Sequence, residues 1–433
     1  MTVLKALMIS LILLTFCSKL SATVITEVKA LDGIKAWLVE EHSIPFVTLE
    51  IRFKGGATLD RVGKGGSVYF MSALLNEGAD DLDASAFAME MERLAVELDI
   101  NVYQDSLSIS FKFLTENKSA SIDLLKKALT KPRFEQEPFE RVRDQILSIL
   151  KSNAKDPRKI ASKVFFENAF GSHPYGSMKD GSLESILSLN REDILNAYDD
   201  VFNRNQVFIS AVGDIKPNEL RDLVNEVIEE IPTRSNKVID QVIYKLPGGN
   251  TIIDFDTPQS VTIFGHDGIK RTDKDFFSAY VLTHILGGSG FGSRLMTELR
   301  EKNGLTYGVS AYLASWEKAD LILGQFASSN NTVMEAIGIV KNEWATLADR
   351  GVTADELRDA KTFLTGAYPL RFDGNSRIAR ILTGMQIQGL PIDYIHTRNA
   401  KVNAVTMEDI KRVATRILKE KNLYFVIVGR PTP

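Results

Sequence analysis

The stretch Ser106-Leu-Ser-Ile-Ser-Phe-Lys-Phe113 decides the fold, because it recurs about halfway along this 433-residue chain. It alternates as a half-buried strand does, and it leads through Asn117 into a segment with the apolar spacing of a helix. The second copy is Ala319-Asp-Leu-Ile-Leu-Gly-Gln-Phe326, which leads through Asn330 into another such segment. The final phenylalanines and the two asparagines are each 213 residues apart. A repeat of this length indicates a duplicated domain.

Two further matches extend the duplication. Val207-Phe-Ile-Ser-Ala-Val-Gly213 resembles Leu423-Tyr-Phe-Val-Ile-Val-Gly429 at an offset of 216 residues. Near the start of each half, Pro45–Ile51 resembles Gln259–Phe264, with an offset of 214 between Val47 and Val261. The sequence therefore predicts two homologous domains, at 25–230 and 245–433, with polar segments at 232–237 and 247–250 around the linker.

Each half begins with strand-like segments and continues with blocks of helices. Residues 34–40 and 46–53 alternate in polarity, whereas 68–75 and 85–98 carry their apolar residues at helical spacing. The strict β-α-β alternation of a Rossmann sheet is missing. The pattern predicts an α+β fold, in which each domain is an antiparallel or mixed sheet packed with helices on one side.

The N-terminus has the form of a secretory signal. Lys5 precedes the apolar run Ala6–Phe16, and small residues follow up to Ala22. We expect a signal peptide at 1–22 and an exported protein, periplasmic in a Gram-negative bacterium; a buried N-terminal helix is the alternative. Cys17 lies in this segment after the bulky Phe16, which is unfavourable for lipidation, and the run is short for a membrane span. The net charge of −4 does not indicate nucleic acid as a partner.

Common catalytic motifs are missing from the sequence. No two of its five histidines lie within one helical turn, so no H-x-x-x-H pair can bind zinc; these are His42, His173, His266, His284 and His396. A glycine-rich loop follows Leu286 and lacks the Lys-Ser/Thr of a phosphate-binding loop, so a flexible connection between helices is the simpler interpretation. Its glycines are Gly287, Gly288, Gly290 and Gly292.

The segment around that loop resembles a known family. Leu286-Gly-Gly-Ser-Gly-Phe-Gly-Ser-Arg-Leu-Met-Thr-Glu-Leu-Arg-Glu-Lys-Asn-Gly-Leu-Thr-Tyr-Gly-Val-Ser310 is similar to the second-domain signature of pitrilysin/insulinase-type zinc metallopeptidases, in their mitochondrial-processing-protease-like branch. Asn205–Asp214 and His173-Pro-Tyr-Gly176 also resemble family segments. The resemblance implies that each chain is a half-shell and that two half-shells enclose a chamber for unfolded or short peptides.

Active members carry H-x-x-E-H on a helix of the first domain. The matching window is Gly65–Gly78, where the resemblance puts Val68 and Ser72 at the histidine positions and Met71 at the glutamate. A third ligand, a glutamate, would fall at or near Ser148. None of these side chains can replace an imidazole or a carboxylate. The resemblance thus implies no zinc and no general base on this chain, with zinc on a partner chain instead.

Arg300 and Tyr307 retain the family's R-x-x-x-G-x-x-Y spacing. In the family this pair holds the substrate near the scissile bond, opposite the zinc; a helix-end ion pair and a core tyrosine are the structural alternative. The resemblance implies a zinc-less, substrate-binding subunit of a two-chain metalloendopeptidase, in a heterodimer with a zinc-bearing paralogue. A non-enzymatic peptide-binding or scaffold protein is the alternative, and a zinc site built from His42 or His173 is a third hypothesis.

Overall fold

The computed structural model describes residues 24–237, 239–242, 244–288 and 292–432. The expected signal segment 1–22 and the loop residue Gly290 lie outside these ranges, so their predictions stay untested. Among the described helices, none combines the length and the apolar character that a membrane crossing requires.

A six-stranded sheet forms the first half, in the order β1-β2-β8-β3-β7-β6. Neighbouring strands are antiparallel, except for the parallel pair of β2 and β8. A two-stranded hairpin, β4 with β5, stands apart. The strands are β1 (Thr26–Lys29), β2 (Lys35–Glu40), β3 (Phe46–Lys54), β4 (Gly78–Ala79), β5 (Leu82–Asp83), β6 (Glu97–Val102), β7 (Ser106–Leu114) and β8 (Val207–Gly213).

The second half repeats this topology in a five-stranded sheet, in the order β11-β12-β10-β13-β9. Only β13 and β9 are parallel, in the place that β8 and β2 take in the first sheet. The duplication seen in the sequence is therefore also present in the strand order. The strands are β9 (Gly249–Asp254), β10 (Gln259–Asp267), β11 (Val309–Ser315), β12 (Asp320–Ser329) and β13 (Tyr424–Gly429).

Helices account for most of the remaining structure, which confirms the α+β class. Those of the first half are α1 (Ser67–Leu74), α2 (Ala84–Leu94), α3 (Lys118–Thr130), α4 (Gln136–Asn153), α5 (Pro157–Phe170), α6 (Leu183–Ser188), α7 (Arg191–Val201) and α8 (Pro217–Ile228). Those of the second half are α9 (Phe276–Thr283), α10 (Arg294–Met296), α11 (Val333–Arg350), α12 (Ala354–Gly366), α13 (Asn375–Ile387), α14 (Tyr394–Asn403) and α15 (Met407–Ile417). Single π-helical segments, His284–Gly288 and Thr297–Lys302, continue α9 and α10.

The two halves exchange one helix each. Helix α5 packs on β10 and β13 of the second sheet, where Phe165 contacts Tyr424 with ring centroids 6.1 Å apart. Helix α13 packs on β3 and β8 of the first sheet, and Ser210 donates a hydrogen bond to the carbonyl of Ala379 at 2.7 Å. Each sheet therefore has its own helices on one face and a helix from the other half on the second face, which the sequence did not predict.

One sequence alignment between the halves needs correction. Val47 is fully buried in the core of the first half. Val261 is only half-buried and lies on the opposite face of its strand from Phe264, which is buried in the second core. Successive residues of a strand point to opposite faces. The alignment that matches Val47 with Val261 is therefore wrong, and the true register is shifted by an odd number of residues.

Two histidines are buried in the second half as neutral side chains. Trp344 Nε1 donates a hydrogen bond to His266 Nε2 at 2.9 Å, and His266 Nδ1 lies 2.6 Å from the carbonyl oxygen of Asp267. Since indole N–H only donates, the proton of this imidazole resides on Nδ1. Burial lowers the pKa of His266. Burial, with a smaller contribution from Arg398, lowers the pKa of His284 to about 4.

We expect the His284→Phe variant to lose part of the acid sensitivity of the fold. An unfolded histidine titrates near 6.5, so between about pH 6.5 and about pH 4 the unfolded chain binds the proton more readily than the folded one. The free energy of unfolding therefore falls as the pH falls through this window and is constant above it. Phenylalanine retains the ring that stacks on Phe363, 5.1 Å away.

Thermal unfolding at pH 7.5 and pH 5 measures this contribution. The melting temperature of the wild type should fall more between the two conditions than that of His284→Phe. Equal falls would show that His284 is not the titrating group. The comparison also removes the opposite effect of His42, whose pKa is raised by hydrogen bonds to Asp214 and Glu40.

Candidate functional site

The start of helix α1 is held by a half-buried carboxylate. Asp60 accepts hydrogen bonds from the backbone N–H groups of Gly66 and Val68, at 2.7 and 2.9 Å, and from the hydroxyl of Ser67 at 2.7 Å. Burial raises the pKa of Asp60 to about 6, and these hydrogen bonds oppose the rise. Gly66 has φ of 86°, and a Cβ there would come within 2.9 Å of the carbonyl oxygen of Asp180. The start of the helix is thus fixed on several sides.

The accessible face of α1 is displaced by one residue from the predicted ligand positions. Val68 and Met71 are fully buried in the core, and the hydroxyl of Ser72, which is 5% exposed, donates to the carbonyl of Tyr69 at 2.7 Å. Tyr69 is half-buried and Ala73 is exposed. A metal ligand must point away from the apolar core, so burial favours a register in which Tyr69, Ser72 and Ala73 occupy the H-x-x-E-H positions.

Helix α4 carries the predicted position of the third ligand. Its ion pair between Arg141 and Glu77, with Nη2 and Oε2 2.5 Å apart, joins it to the residues that follow α1, and Phe139 stacks on Phe70 at 4.7 Å. Ser148 is exposed, and it lies two turns beyond Arg141 on the same side of the helix. The position is accessible, but a serine hydroxyl does not replace a carboxylate ligand.

The residues at this site therefore do not fit a zinc ion. Within the described ranges, no group of three or more His, Cys, Asp or Glu side chains is arranged to hold a metal. His42 lies instead 2.7 Å from Asp214 and 3.2 Å from Glu40, exposed at the surface, and His173 Nε2 lies 3.2 Å from the carbonyl oxygen of Asp240. The hypothesis of a zinc site built from His42 or His173 gains no support from this geometry.

Replacing Tyr69 and Ala73 together with histidine should create weak zinc binding, because the two imidazoles supply only part of a zinc ligand set. Two imidazoles at positions i and i+4 of a helix point to the same side, and here that side is accessible. Histidines at 68 and 72 would instead bury polar rings in the core and should cost more than about 2 kcal/mol of stability. Thermal and denaturant unfolding with and without Zn²⁺ measures both effects. If only the variant with histidines at 68 and 72 binds zinc, the histidine positions predicted from the sequence, Val68 and Ser72, are the correct ones.

A lysine lies beside the accessible face of α1. Lys179 Nζ lies 6.0 Å from the ring centroid of Tyr69 and donates to the carbonyl of Val102 at 2.8 Å. Burial lowers the pKa of Lys179, and burial together with the charge of Asp180 raises the pKa of Tyr69. An ammonium group in this place is unfavourable for a second cation, which is a further reason why the site does not suit zinc.

The glycine-rich loop of the second half leaves a helix that packs closely on a strand. Gly287 is buried at the end of α9, and a Cβ there would meet the backbone nitrogen of Ala311 on β11 at 2.7 Å. A Cβ at Gly288 would lie 3.4 Å from His284 Nδ1. Gly292 is exposed. Gly287 thus serves close packing, so at this residue the interpretation of a flexible connection is wrong.

Arg300 and Tyr307 are brought together by the turn between them. Gly304 adopts a left-handed conformation, with φ of 62°, and its N–H bonds to the carbonyl of Arg300 at 3.1 Å. The chain then reverses, and Leu305 N–H bonds to the carbonyl of Leu299 at 2.7 Å. As a result, Arg300 Nη1 donates to the carbonyl of Tyr307 at 3.0 Å. The glycine of the R-x-x-x-G-x-x-Y pattern therefore makes the contact possible.

The phenol of Tyr307 faces outward. Its residue is 83% exposed, so the interpretation of Tyr307 as a core tyrosine is wrong. Thr306 anchors the loop beneath it, since the hydroxyl of Thr306 donates to the carbonyl of Ala327 at 2.7 Å. Beside Tyr307 lies a cavity of about 510 Å³, which Gln259 and Arg158 also line. An exposed hydroxyl on a fixed backbone can donate to a carbonyl oxygen of a bound peptide.

Sequence reasoning did not find Arg158 or Lys179. Both belong to the first half, and Arg158 reaches the Tyr307 cavity because α5 packs on the second sheet. Neither residue lies in a recognisable motif. Helices α5 and α13 occupy similar places in the two halves. Recognising them as equivalent in the sequence could have indicated a site between the halves.

The comparisons with known proteins agree with this geometry. Residues 35–179 match the family model described as insulinase, peptidase family M16, and residues 188–364 match the model described as the peptidase M16 inactive domain. The chain is 27% identical to the non-peptidase homolog YmxG of Helicobacter pylori over 90% of both chains. It is 22% identical to a probable mitochondrial-processing peptidase subunit beta of Arabidopsis thaliana, over 92% of this chain and 77% of that protein.

A solved structure shares the whole arrangement. The crystal structure of a peptidase M16 inactive domain from Pseudomonas fluorescens superimposes with a TM-score of 0.88, at 26% identity, over 95% of this chain and 98% of that one. Two domain models of one family, a relative named as a non-peptidase and a site without metal ligands lead to the same conclusion. This chain belongs to the pitrilysin/insulinase (M16) peptidase family, as a member whose described residues provide no zinc site.

Proposed function

We propose that this chain is the substrate-binding subunit of a two-chain metalloendopeptidase, whose partner chain supplies the zinc and the general base. The observation that carries the proposal is the contrast between the two halves. The accessible face of helix α1 carries Tyr69 and Ala73, which supply neither imidazole nor carboxylate, whereas Tyr307 is 83% exposed on a loop whose backbone Arg300 holds. An exposed phenol on a fixed backbone can act on a peptide bond that a partner chain holds against it.

In this proposal the chain's own residues bind and orient the peptide. The hydroxyl of Tyr307 donates to the scissile carbonyl and to the oxyanion that develops from it. Arg300 fixes the loop that carries Tyr307, and Arg158 and Gln259 line the adjoining cavity. Two half-shells enclose a chamber that admits unfolded or short peptides. We also propose that the chain is exported, and periplasmic in a Gram-negative bacterium.

The relatives support a paired arrangement without establishing it for this chain. One relative is named as the beta subunit of a mitochondrial-processing peptidase, and another as a non-peptidase homolog. The second name also favours the alternative function, a peptide-binding or scaffold protein that never takes part in cleavage. Under that alternative, the chain binds peptides and associates with itself, and no paralogue gains activity from it.

A reconstitution experiment separates the two functions. The purified chain is mixed with the zinc-bearing paralogue from the same genome, and cleavage of a quenched fluorescent peptide is measured with each chain alone and with both. We expect a complex with one copy of each chain by light scattering, and cleavage only when both are present. A paralogue that is equally active alone would exclude the subunit proposal, and peptide binding without any gain in cleavage would establish the alternative.

A further inference from the structure

A second cavity, of about 570 Å³, lies in the second half on the side of β11 and α12. Four large aromatic side chains line it: Phe276 and Tyr280 come from α9, Tyr312 from β11 and Phe363 from α12. Tyr312 and Phe363 are 48% and 54% exposed, which is unusual for rings of this size. Both rings line the cavity and remain open to solvent, so they can cover a large apolar group of a ligand.

Cations line this cavity and lie behind its walls, and within the described residues they have no carboxylate partners. Arg271 and Arg371 line it, Arg398 lies behind Tyr280, and Lys401 lies near Phe277. In the described part of the chain, no Asp or Glu oxygen lies within 4.0 Å of any of these four groups. Arg271 packs instead on the ring of Phe276 at 4.1 Å.

The carboxylates that follow Arg271 in the sequence are used elsewhere. Asp273 pairs with Arg416 at 2.7 Å, and Asp275 pairs with Arg412 at 2.7 Å and with Arg416 at 2.8 Å. Among the described residues they therefore leave Arg271 without a carboxylate partner, and its Nη2 donates to the hydroxyl of Tyr394. The low pKa of His284, another lining residue, agrees with a positive surrounding, because Arg398 contributes to the shift after burial. Several guanidinium groups around one cavity attract an anion, and their planar donors suit a carboxylate.

We propose that this arginine–aromatic pocket, formed by Arg271, Arg371, Phe276, Tyr312 and Phe363, binds a peptide carboxylate together with the large apolar side chain next to it. The inference rests on the proposed function in one respect, that the ligands of this chain are peptides. The carboxylate comes from the peptide C-terminus or from an acidic side chain, and both present the same two oxygens to the arginines. The aromatic walls select a peptide over a free small anion, because a small anion leaves them uncovered.

Three peptides test the pocket. Each is a fluorescein-labelled hexapeptide of alanines ending in phenylalanine: one with a free C-terminal carboxylate, one with a C-terminal amide, and one amide with aspartate before the phenylalanine. Binding to the full chain is measured by fluorescence anisotropy. Either carboxylate-bearing peptide should bind about 10-fold more tightly than the plain amide, as expected for charge-assisted hydrogen bonds. The peptide that binds more tightly than the plain amide identifies the source of the carboxylate.

Variants connect the preference to the pocket. Arg371→Gln should reduce the carboxylate preference about 10-fold and leave binding of the plain amide unchanged, and Arg371→Lys should retain part of it. Arg371 is exposed and makes no side-chain ion pair among the described residues, so the variant should fold normally. Arg350→Gln is the matched control, since Arg350 is an exposed arginine at the end of α11, with a side chain 81% exposed.

Two results would overturn the inference. One is equal binding of all three peptides, and the other is a carboxylate preference that Arg371→Gln leaves intact. If either occurs while the mixture with the zinc-bearing paralogue still cleaves peptides, the pocket assignment fails and the subunit proposal stands. If the carboxylate preference is present and the mixture is inactive, the subunit proposal fails and the pocket stands.

Discussion

Replacing Trp344 with alanine is expected to lower the free energy of unfolding by about 3–5 kcal/mol. Trp344 is fully buried in the centre of the second core, and its ring meets Phe264 edge-on with centroids 5.7 Å apart. The substitution removes this contact area and leaves a cavity. It also removes the N–H that His266 Nε2 accepts at 2.9 Å, so a buried imidazole nitrogen loses its partner. The loss is a large part of the stability of an ordinary domain.

Denaturant unfolding of matched variants separates these contributions. Trp344→Phe retains a six-membered ring, leaves a smaller cavity and loses the hydrogen bond, so it should cost less than Trp344→Ala, about 1–3 kcal/mol. Met334→Ala changes a partly exposed residue on the same helix and should cost less than about 1 kcal/mol. If Trp344→Ala costs no more than Met334→Ala, Trp344 does not organise this core.

The fold could be predicted because the duplication is recorded in the strands. The alternation of Ser106–Phe113 and its second copy reflects one apolar face on each strand, and both copies occupy the same place in their sheets. The exchanged helices could not be predicted in this way. An apolar face on α5 or α13 indicates that the helix packs on something, but the pattern does not say on which sheet.

The ligand positions predicted on α1 and the accessible face of that helix differ by one residue, for a physical reason. Six of the eight residues of α1 are buried, so its sequence lacks the polar stripe that would mark the accessible side. The two serines of this helix are buried as well, so polarity does not mark its accessible side, and burial in the folded structure was needed to favour Tyr69 and Ala73 over Val68 and Ser72. On α4 the amphipathic pattern does mark the accessible side, and Ser148 lies on that exposed side; its role as the third ligand position stays a prediction.

The arginine–aromatic pocket could not be found from the sequence. Its two lining arginines, Arg271 and Arg371, are separated by 100 residues, and neither belongs to a motif. What distinguishes them is the lack of carboxylate partners, which is a property of the folded chain. By contrast, the contact of Arg300 with the backbone of Tyr307 is local. All the residues that form it, including the turn at Gly304, lie within one short sequence pattern.

Tyr307→Phe should lower the kcat of the reconstituted enzyme about 100-fold or more, the effect of removing one donor from an oxyanion site. Phenylalanine retains the ring and removes only the hydroxyl, which under the proposed function is needed most in the transition state. The loss should therefore appear in kcat, with KM little changed. Complex formation with the paralogue, measured by light scattering, should be unaffected.

Arg300→Ala should act differently, because Arg300 holds the backbone of Tyr307 through the 3.0 Å hydrogen bond to its carbonyl. A loosened loop places the phenol less accurately, so kcat should fall and KM should rise. Tyr103→Phe is the matched control: Tyr103 is also an exposed tyrosine, at 46%, but it lies in the first half. If Tyr307→Phe is as active as Tyr103→Phe, the exposed phenol does not serve the partner's chemistry. The chain would then contribute to cleavage only by enclosing the substrate, if it contributes at all.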